Sequence, residues 1–285
     1  MKFNTILLEY QEDIAILTLN RPAVMNSLSP AMAAEVLSAF EIIQNNSAIR
    51  ALMVTGAGKG FCAGAELGDD ITKGNGEQPP SDSLNYNMQH LFNPWASAIE
   101  DMAVPVVVAM NGAAAGAGVG VALGADITIA AQSAYFVLSF APKLGLIPDM
   151  GSSWRLPRAI GHAKAKALTL LGEKLSSTQA EQWGLIWKVV PDDALYDEAL
   201  AIAHQLAALP NNIAKEIRQT YAHADKVSFQ LQLDYEREQQ CQFVEMMRFK
   251  EGVAAFHEKR QPDFKKLMIG RNLHELKAIS LDSSK

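Results

Sequence analysis

Residues 102–125 carry no charge over 24 positions, and this stretch limits the fold more than any other part of the chain. It is long enough to cross a bilayer, and Gly112, Gly116, Gly120 and Gly124 repeat at GxxxG spacing. Its composition points elsewhere. Pro105 and the valines at 106–108 suit a strand, Asn111-Gly112 is a turn signal, and the remainder is mostly Ala and Gly, weak in hydrophobic drive. A strand, a turn and a close-packed buried helix are predicted, with no membrane span.

The rest of the chain supports that choice. Its 285 residues are 49% apolar and 20% charged, ordinary for a globular protein with a sizeable core. A net charge of −6 favours neither nucleic acid nor an anionic membrane as partner. The start, MKFNTILLEY, has one Lys and a short apolar run before Glu9, too little for a secretory signal. A cytoplasmic location with reduced thiols is expected. Cys62 reads as a buried structural thiol, although a nucleophile with a distant partner is the alternative.

Strands are expected at 5–8, 14–19, 51–55, 127–130 and 135–139, and a helix at 31–44 with Ser29 as N-cap and Pro30 at the first position. Residues 68–90 are polar and rich in Gly, Pro, Asp and Asn, a surface loop or a wall over a site, with an amphipathic helix from about 84 to 102. Helical spacing fills 161–171, 178–183, 194–209, 213–224 and 228–247, with Thr178 and Glu181 as a capping box. The alternation predicts an α/β class, with a final third that is helical rather than more sheet.

Two apolar strands each lead into a turn containing Ala-Gly-Ala, at 63–65 and 115–117. Such turns expose backbone N–H groups, and a helix starting there adds its positive end. Brought together, they would make a two-donor pocket for an oxygen gaining negative charge. Phosphate readings fail on spacing. GAGKGF lacks the GxxxxGK[ST] of a P-loop, and both GAGVG and GAGKG place the third glycine one position early for a dinucleotide fingerprint.

GAGKGFCAGAEL, PVVVAMNGAAAGAGVGVALGADITIA, KLGLIPDMGSSWRLPRAIG and EGVAAFHEKRQPDF together resemble the crotonase (enoyl-CoA hydratase/isomerase) family, in family order, over about residues 4–266. The resemblance implies a crotonase-like spiral of ββα units over 1–195, with a C-terminal helical oligomerisation region over 196–285 that packs a homotrimer or a dimer of trimers. It implies an acyl-CoA thioester as substrate, with coenzyme A part of that substrate and no other cofactor. The thioester carbonyl would lie between the amides of Ala65 and Ala117. Ala63, Gly64, Glu66, Leu67 and Gly116 would shape the acyl-CoA site, and Phe256 and Lys259 would reach the CoA of an adjacent subunit. Lys59 would attract CoA phosphates or stay a solvated loop lysine, and Met25 falls where many relatives carry a basic residue.

Departures from the family pattern are as informative. Hydratases of the family carry two Glu residues that hold a water; here the first position is Gly120 and the second falls at Phe140 or Ala141. Asp149, by sequence a turn or helix-capping residue, stands where isomerases and dehalogenases of the family carry their working carboxylate. Ile147, Pro148 and Met150 beside it are expected to desolvate it and raise its pKa. FNPW, NGAAAGAG, KLGLIPD and WGLIW resemble the family's isomerases of phenylacetate degradation. The implied activity is an isomerase that shifts a double bond between C3 and C2. Its rivals are dehalogenation with Asp149 as nucleophile, hydration, and a silent acyl-CoA-binding subunit. The six histidines show neither HxxxH nor HExxH spacing, so no metal is expected.

Overall fold

The computed structural model describes residues 2–68 and 79–267. β1 (Ile6–Gln11) and β2 (Ile14–Leu19) form an antiparallel hairpin, and β2 pairs in parallel with β3 (Ala51–Gly56). From there the chain alternates between two sheets. β3, β5 (Val106–Met110) and β7 (Ile127–Ala131) extend a six-stranded sheet, each a nearly continuous buried apolar run, as parallel strands covered on both faces require. β4 (Gly60–Cys62), β6 (Ala113–Ala115) and β8 (Tyr135–Val137) build a second, four-stranded sheet. Each pair is followed by helix: Pro80–Asn87 continuing to Asn93–Asp101, then Ala117–Ala122, then Ser152–Leu171. The repeating strand, strand, helix order is the ββα spiral.

The uncharged run 102–125 is resolved into β5, β6 and the buried helix Ala117–Ala122. Its glycines serve close approach to other segments: a Cβ at Gly112 would strike the Lys59 carbonyl. Among the described residues no helix is long and apolar enough to cross a membrane.

Helix Pro30–Gln44 starts as its sequence dictates, with the Ser29 hydroxyl accepting from Met32 N–H at 3.2 Å. Helix Leu195–Ala207 lies against β3 and β5 through Ala199, Ala203 and Ala207, all fully buried at i, i+4, i+8 spacing. Buried Arg50 ties its C-terminal end down, donating to the carbonyls of Ala207 (3.2 Å) and Leu209 (2.5 Å) and to Asn211 Oδ1. Arg218, on helix Ile213–Ala224, pairs with Asp126 (2.8 Å) and donates to the carbonyls of Ile99 (2.9 Å) and Met102 (2.9 Å).

Several local expectations differ from the structure. Among the described residues the final third is helical as expected, but two strands that were not expected precede it. β9 (Lys174–Ser176) pairs antiparallel with β8, and β10 (Lys188–Val190) pairs in parallel with β7. Three-residue strands carry too little periodicity to read locally. The helix Ser177–Gln182 is capped by Ser176, which accepts from Gln179 N–H, while Glu181 accepts from Val189 N–H at 3.0 Å, so Thr178 and Glu181 form no capping box. The helix expected from about 84 to 102 begins earlier, at Pro80, and passes through the π-turn Met88–Phe92 to Asp101; residues 69–78 of the polar segment lie outside the described residues. The helix expected at 161–171 begins at Ser152 and kinks at Gly161, and a further helix, Met247–Glu258, follows Phe229–Phe243.

Candidate active site

The two Ala-Gly-Ala turns meet. Gly64 (φ +90°) and Gly116 (φ +50°, ψ −126°) hold conformations that a side chain resists, and a Cβ built on Gly64 would lie 2.7 Å from the Ala115 carbonyl oxygen and 3.2 Å from the Ala117 nitrogen. A parallel bridge joins Ala65 to Leu28: Leu28 N–H donates to the Gly64 carbonyl (2.7 Å) and Glu66 N–H to the Leu28 carbonyl (2.9 Å). That pattern leaves the Ala65 N–H turned away from the bridge. Ala117 opens its helix, so its N–H has no partner in the preceding turn. Neither amide donates to a protein acceptor among the described residues.

Both residues line a cavity of about 290 Å³, and Asp149 lines it with them. Leu28, Leu84, Met88, Phe92 and Met150 make the apolar wall, and Asn87 and Glu66 are the other polar side chains. Leu84 and Met88 share a helix face at i, i+4. Phe92 joins them through the π-turn Met88–Phe92, in which Asn93 N–H donates to the Met88 carbonyl. Pro94 has no N–H to offer the His90 carbonyl, and the wider turn accommodates it.

Asp149 does not cap the following helix, whose N-cap is Gly151. Its Oδ1 is buried without a hydrogen-bond partner among the described residues. Burial pushes its carboxyl up to about 6, opposed weakly by its own backbone N–H. The source of that burial differs from expectation: Ile147 points to solvent at 84% exposure, and Leu146 is also exposed. Of the expected neighbours Met150 is buried on the same cavity, and the rest of the apolar surface around Asp149 comes from residues remote in sequence.

Residues 9–267 match the family profile described as enoyl-CoA hydratase/isomerase. The chain belongs to this family, the crotonases. Its relatives include the 1,2-epoxyphenylacetyl-CoA isomerase of Escherichia coli (strain K12), 42% identical over 91% of this chain and 97% of that protein. A Rhodobacter capsulatus protein named "Probable enoyl-CoA hydratase" is 38% identical over 93% of this chain and 99% of its own length. The crystal structure of an enoyl-CoA hydratase from Polaromonas sp. JS666 superposes with a TM-score of 0.82 at 34% identity, covering 90% of this chain and 98% of that one. This crotonase is thus an enzyme of the acyl-CoA isomerase/hydratase class.

Among the residues expected in the site, Asp149, Ala65, Ala117 and Glu66 line the cavity. Glu66 is held by Arg21 Nη1 at 2.7 Å, and Ala63 N–H donates to the Met25 carbonyl at 2.9 Å. Leu67 is exposed and does not line the cavity. Phe256 and Lys259 sit at the C-terminal end of helix Met247–Glu258, Phe256 80% exposed, and neither lines the cavity of this chain. Position 120 has no room for a side chain: a Cβ there would lie 2.5 Å from Met150 Cβ. Phe140 is buried. Burial without a cation beside it pushes the Cys62 thiol up to about 12, as for an inert structural cysteine. Gly68, Leu84, Asn87 and Met88 come from the 68–90 segment read as a surface loop or a wall over a site, and they take the second of those places; Leu28, Pro30 and Phe92 are the cavity residues that sequence reasoning did not place there. Glu12, Asp13 and His204 bring ligand-type atoms within 4.8 Å of one another at the β1–β2 turn, where Lys265 pairs with Asp13 at 2.7 Å, and none lines the cavity.

Proposed function

We propose that this crotonase moves the double bond of a 3-enoyl-CoA to give a 2-enoyl-CoA, with Asp149 as its single acid/base. The observation that carries this reading is one desolvated carboxyl and two unengaged amides on the same cavity. The Asp149 carboxylate removes a proton from C2, and the electron pair delocalises onto the thioester oxygen. The Ala65 and Ala117 amides hold that oxygen, each worth roughly a hundredfold to a thousandfold in rate. The protonated carboxyl returns its proton at C4, the C2–C3 bond becomes double, and the carboxylate is regenerated. A carboxyl near 6 is mostly ionised at pH 7 yet a stronger base than an ordinary aspartate.

Hydration calls for a second carboxylate to hold water. Among the described residues the only other acid on the cavity is Glu66, and it is paired with Arg21. Ring-epoxide to oxepin isomerisation of an aromatic acyl-CoA is the second reading, favoured by the 42% identity to the E. coli isomerase and by Phe92 in the cavity wall. Coenzyme A enters as part of the substrate, with no other cofactor. Residues 196–285 serve as an oligomerisation region for a trimer or dimer of trimers, in which Phe256 and Lys259 reach an adjacent CoA, a role suited to the exposure of Phe256.

Incubation with 3-hexenoyl-CoA and 2-hexenoyl-CoA, following isomerisation and hydration together, tests the reading. Isomerisation with deuterium passing from C2 into product is expected. Brisk hydration, or turnover of neither substrate nor an aromatic epoxide thioester, would overturn it.

A further inference from the structure

The main chain at Asp149–Gly151 is not what its own sequence favours. Met150 is a non-glycine residue at φ 48°, followed by Gly151 at φ 77°, and such backbone persists only where its surroundings impose it. Buried Ser152 donates to the Asp149 carbonyl through both its N–H (2.9 Å) and its hydroxyl (2.6 Å). Arg155 Nη1 donates to the Met150 carbonyl at 3.1 Å, while its Nη2 is paired with Glu100 at 2.5 Å. On the opposite side, Met150 is pressed against Gly120. A Cβ at position 120 would lie 2.5 Å from Met150 Cβ and 2.9 Å from its carbonyl carbon, with the carbonyl oxygen closer still. Gly120 belongs to the helix that begins at Ala117. One contact therefore joins the segment carrying the carboxyl to the helix presenting one of the two amides.

We infer that Arg155 and the Gly120–Met150 contact are positioning elements that set Asp149 against the oxyanion amides and bar a second carboxylate from the site, so that selection of proton shuttling over hydration is built into backbone packing. This rests on the single-carboxylate reading above. The place a hydratase gives its first Glu is not merely without an acid here; the Met150 main chain fills it. No side chain enters at 120 unless Met150 moves, and Asp149 moves with it. Among the described residues the charged groups around Asp149 are Glu66, paired with Arg21 on the same cavity, and the Arg155–Glu100 pair behind the Met150 carbonyl.

The test compares Gly120→Ala, Arg155→Met and Arg155→Lys with the parent full-length protein, using 3-hexenoyl-CoA turnover and the titration of Asp149 by NMR on carbon-13-labelled aspartate. In folded Gly120→Ala and Arg155→Met, kcat is expected to fall on the order of tenfold to a hundredfold, with KM within about threefold. The Asp149 midpoint should move down toward the ordinary carboxylate range as water reaches the displaced carboxyl, and Arg155→Lys, which keeps one donor, should recover part of both. If Gly120→Ala does not fold, the two Arg155 variants decide. An unmoved midpoint in the folded variants overturns the inference whatever their activity. Gly120→Glu should gain no hydration of 2-hexenoyl-CoA, and hydration by that variant would overturn the selectivity claim. Because the NMR midpoint does not depend on which reaction the enzyme runs, a parent that fails to isomerise strikes only the proposed function.

Discussion

Ala63-Gly64-Ala65 and Ala115-Gly116-Ala117 are the same tripeptide after a strand, yet the first is a loop held by its bridge to Leu28 and the second passes directly into a helix. Ala65 is exposed and owes the aim of its amide to a segment about forty residues away in the chain. Ala117 is buried, and its amide is the first of a helix, with the partial positive charge of that position. The glycines differ in the same way. A Cβ built on Gly64 would lie 2.7 Å from the Ala115 carbonyl oxygen, whereas one built on Gly116 has nothing nearer than 3.9 Å. One turn is fixed by packing against the other; the second is fixed by its own backbone conformation.

Removing the base while leaving both turns intact is the largest perturbation. Asp149→Asn should lower kcat for 3-hexenoyl-CoA by roughly 10²–10⁴-fold, with acyl-CoA affinity, measured by calorimetry, nearly unchanged. Undiminished turnover would sever the turns from the chemistry assigned to Asp149.

Gly64→Ala should come next, because its methyl wedges the turns apart and disturbs both amides at once. A loss of roughly 10²–10³ in kcat/KM is expected, together with a lower melting temperature. The same Asp149→Asn variant should be more stable than the parent at pH 8. The Asp149 carboxyl is raised from 3.8 to about 6 in the fold. Its favourable contribution is therefore present below about 4 and lost as pH rises through 6, leaving a penalty of about 3 kcal/mol at pH 8 that roughly halves by pH 5. Urea melts at the two pH values measure it, and equal gains at both would contradict the sign.

Gly116→Ala should cost on the order of 1–3 kcal/mol of stability through backbone strain alone and impair turnover less than Gly64→Ala. Equal kinetic losses in the two variants would erase the asymmetry between the turns. Arg21→Met, which frees Glu66 from a half-exposed ion pair, should change stability by about 0–1 kcal/mol and leave kcat near the parent value. A large kinetic effect would instead make Glu66 part of the acid/base machinery.

The parts of the molecule legible in the sequence depend on neighbours along the chain. The valines at 106–108 favour a strand, Ser29-Pro30 starts a helix, and glycine-rich turns after strands expose amides. Those signals, with their order, carried the α/β class and the two turns, whereas Asp149 read locally as a turn or capping residue and was singled out only by the family resemblance. Met150 lies beside Asp149 in sequence, but tertiary structure decided the other apolar groups that desolvate it: Ile147, two residues away, faces solvent, while Phe92 and Met88 arrive on a π-turn from a distant segment. It alone decided that β9 and β10 return to the sheets and that Met150 fills the space at Gly120. The division has a physical reason. Backbone preference is a property of a few consecutive residues, whereas desolvation and close approach are set by whichever distant segments the fold brings within a few ångströms.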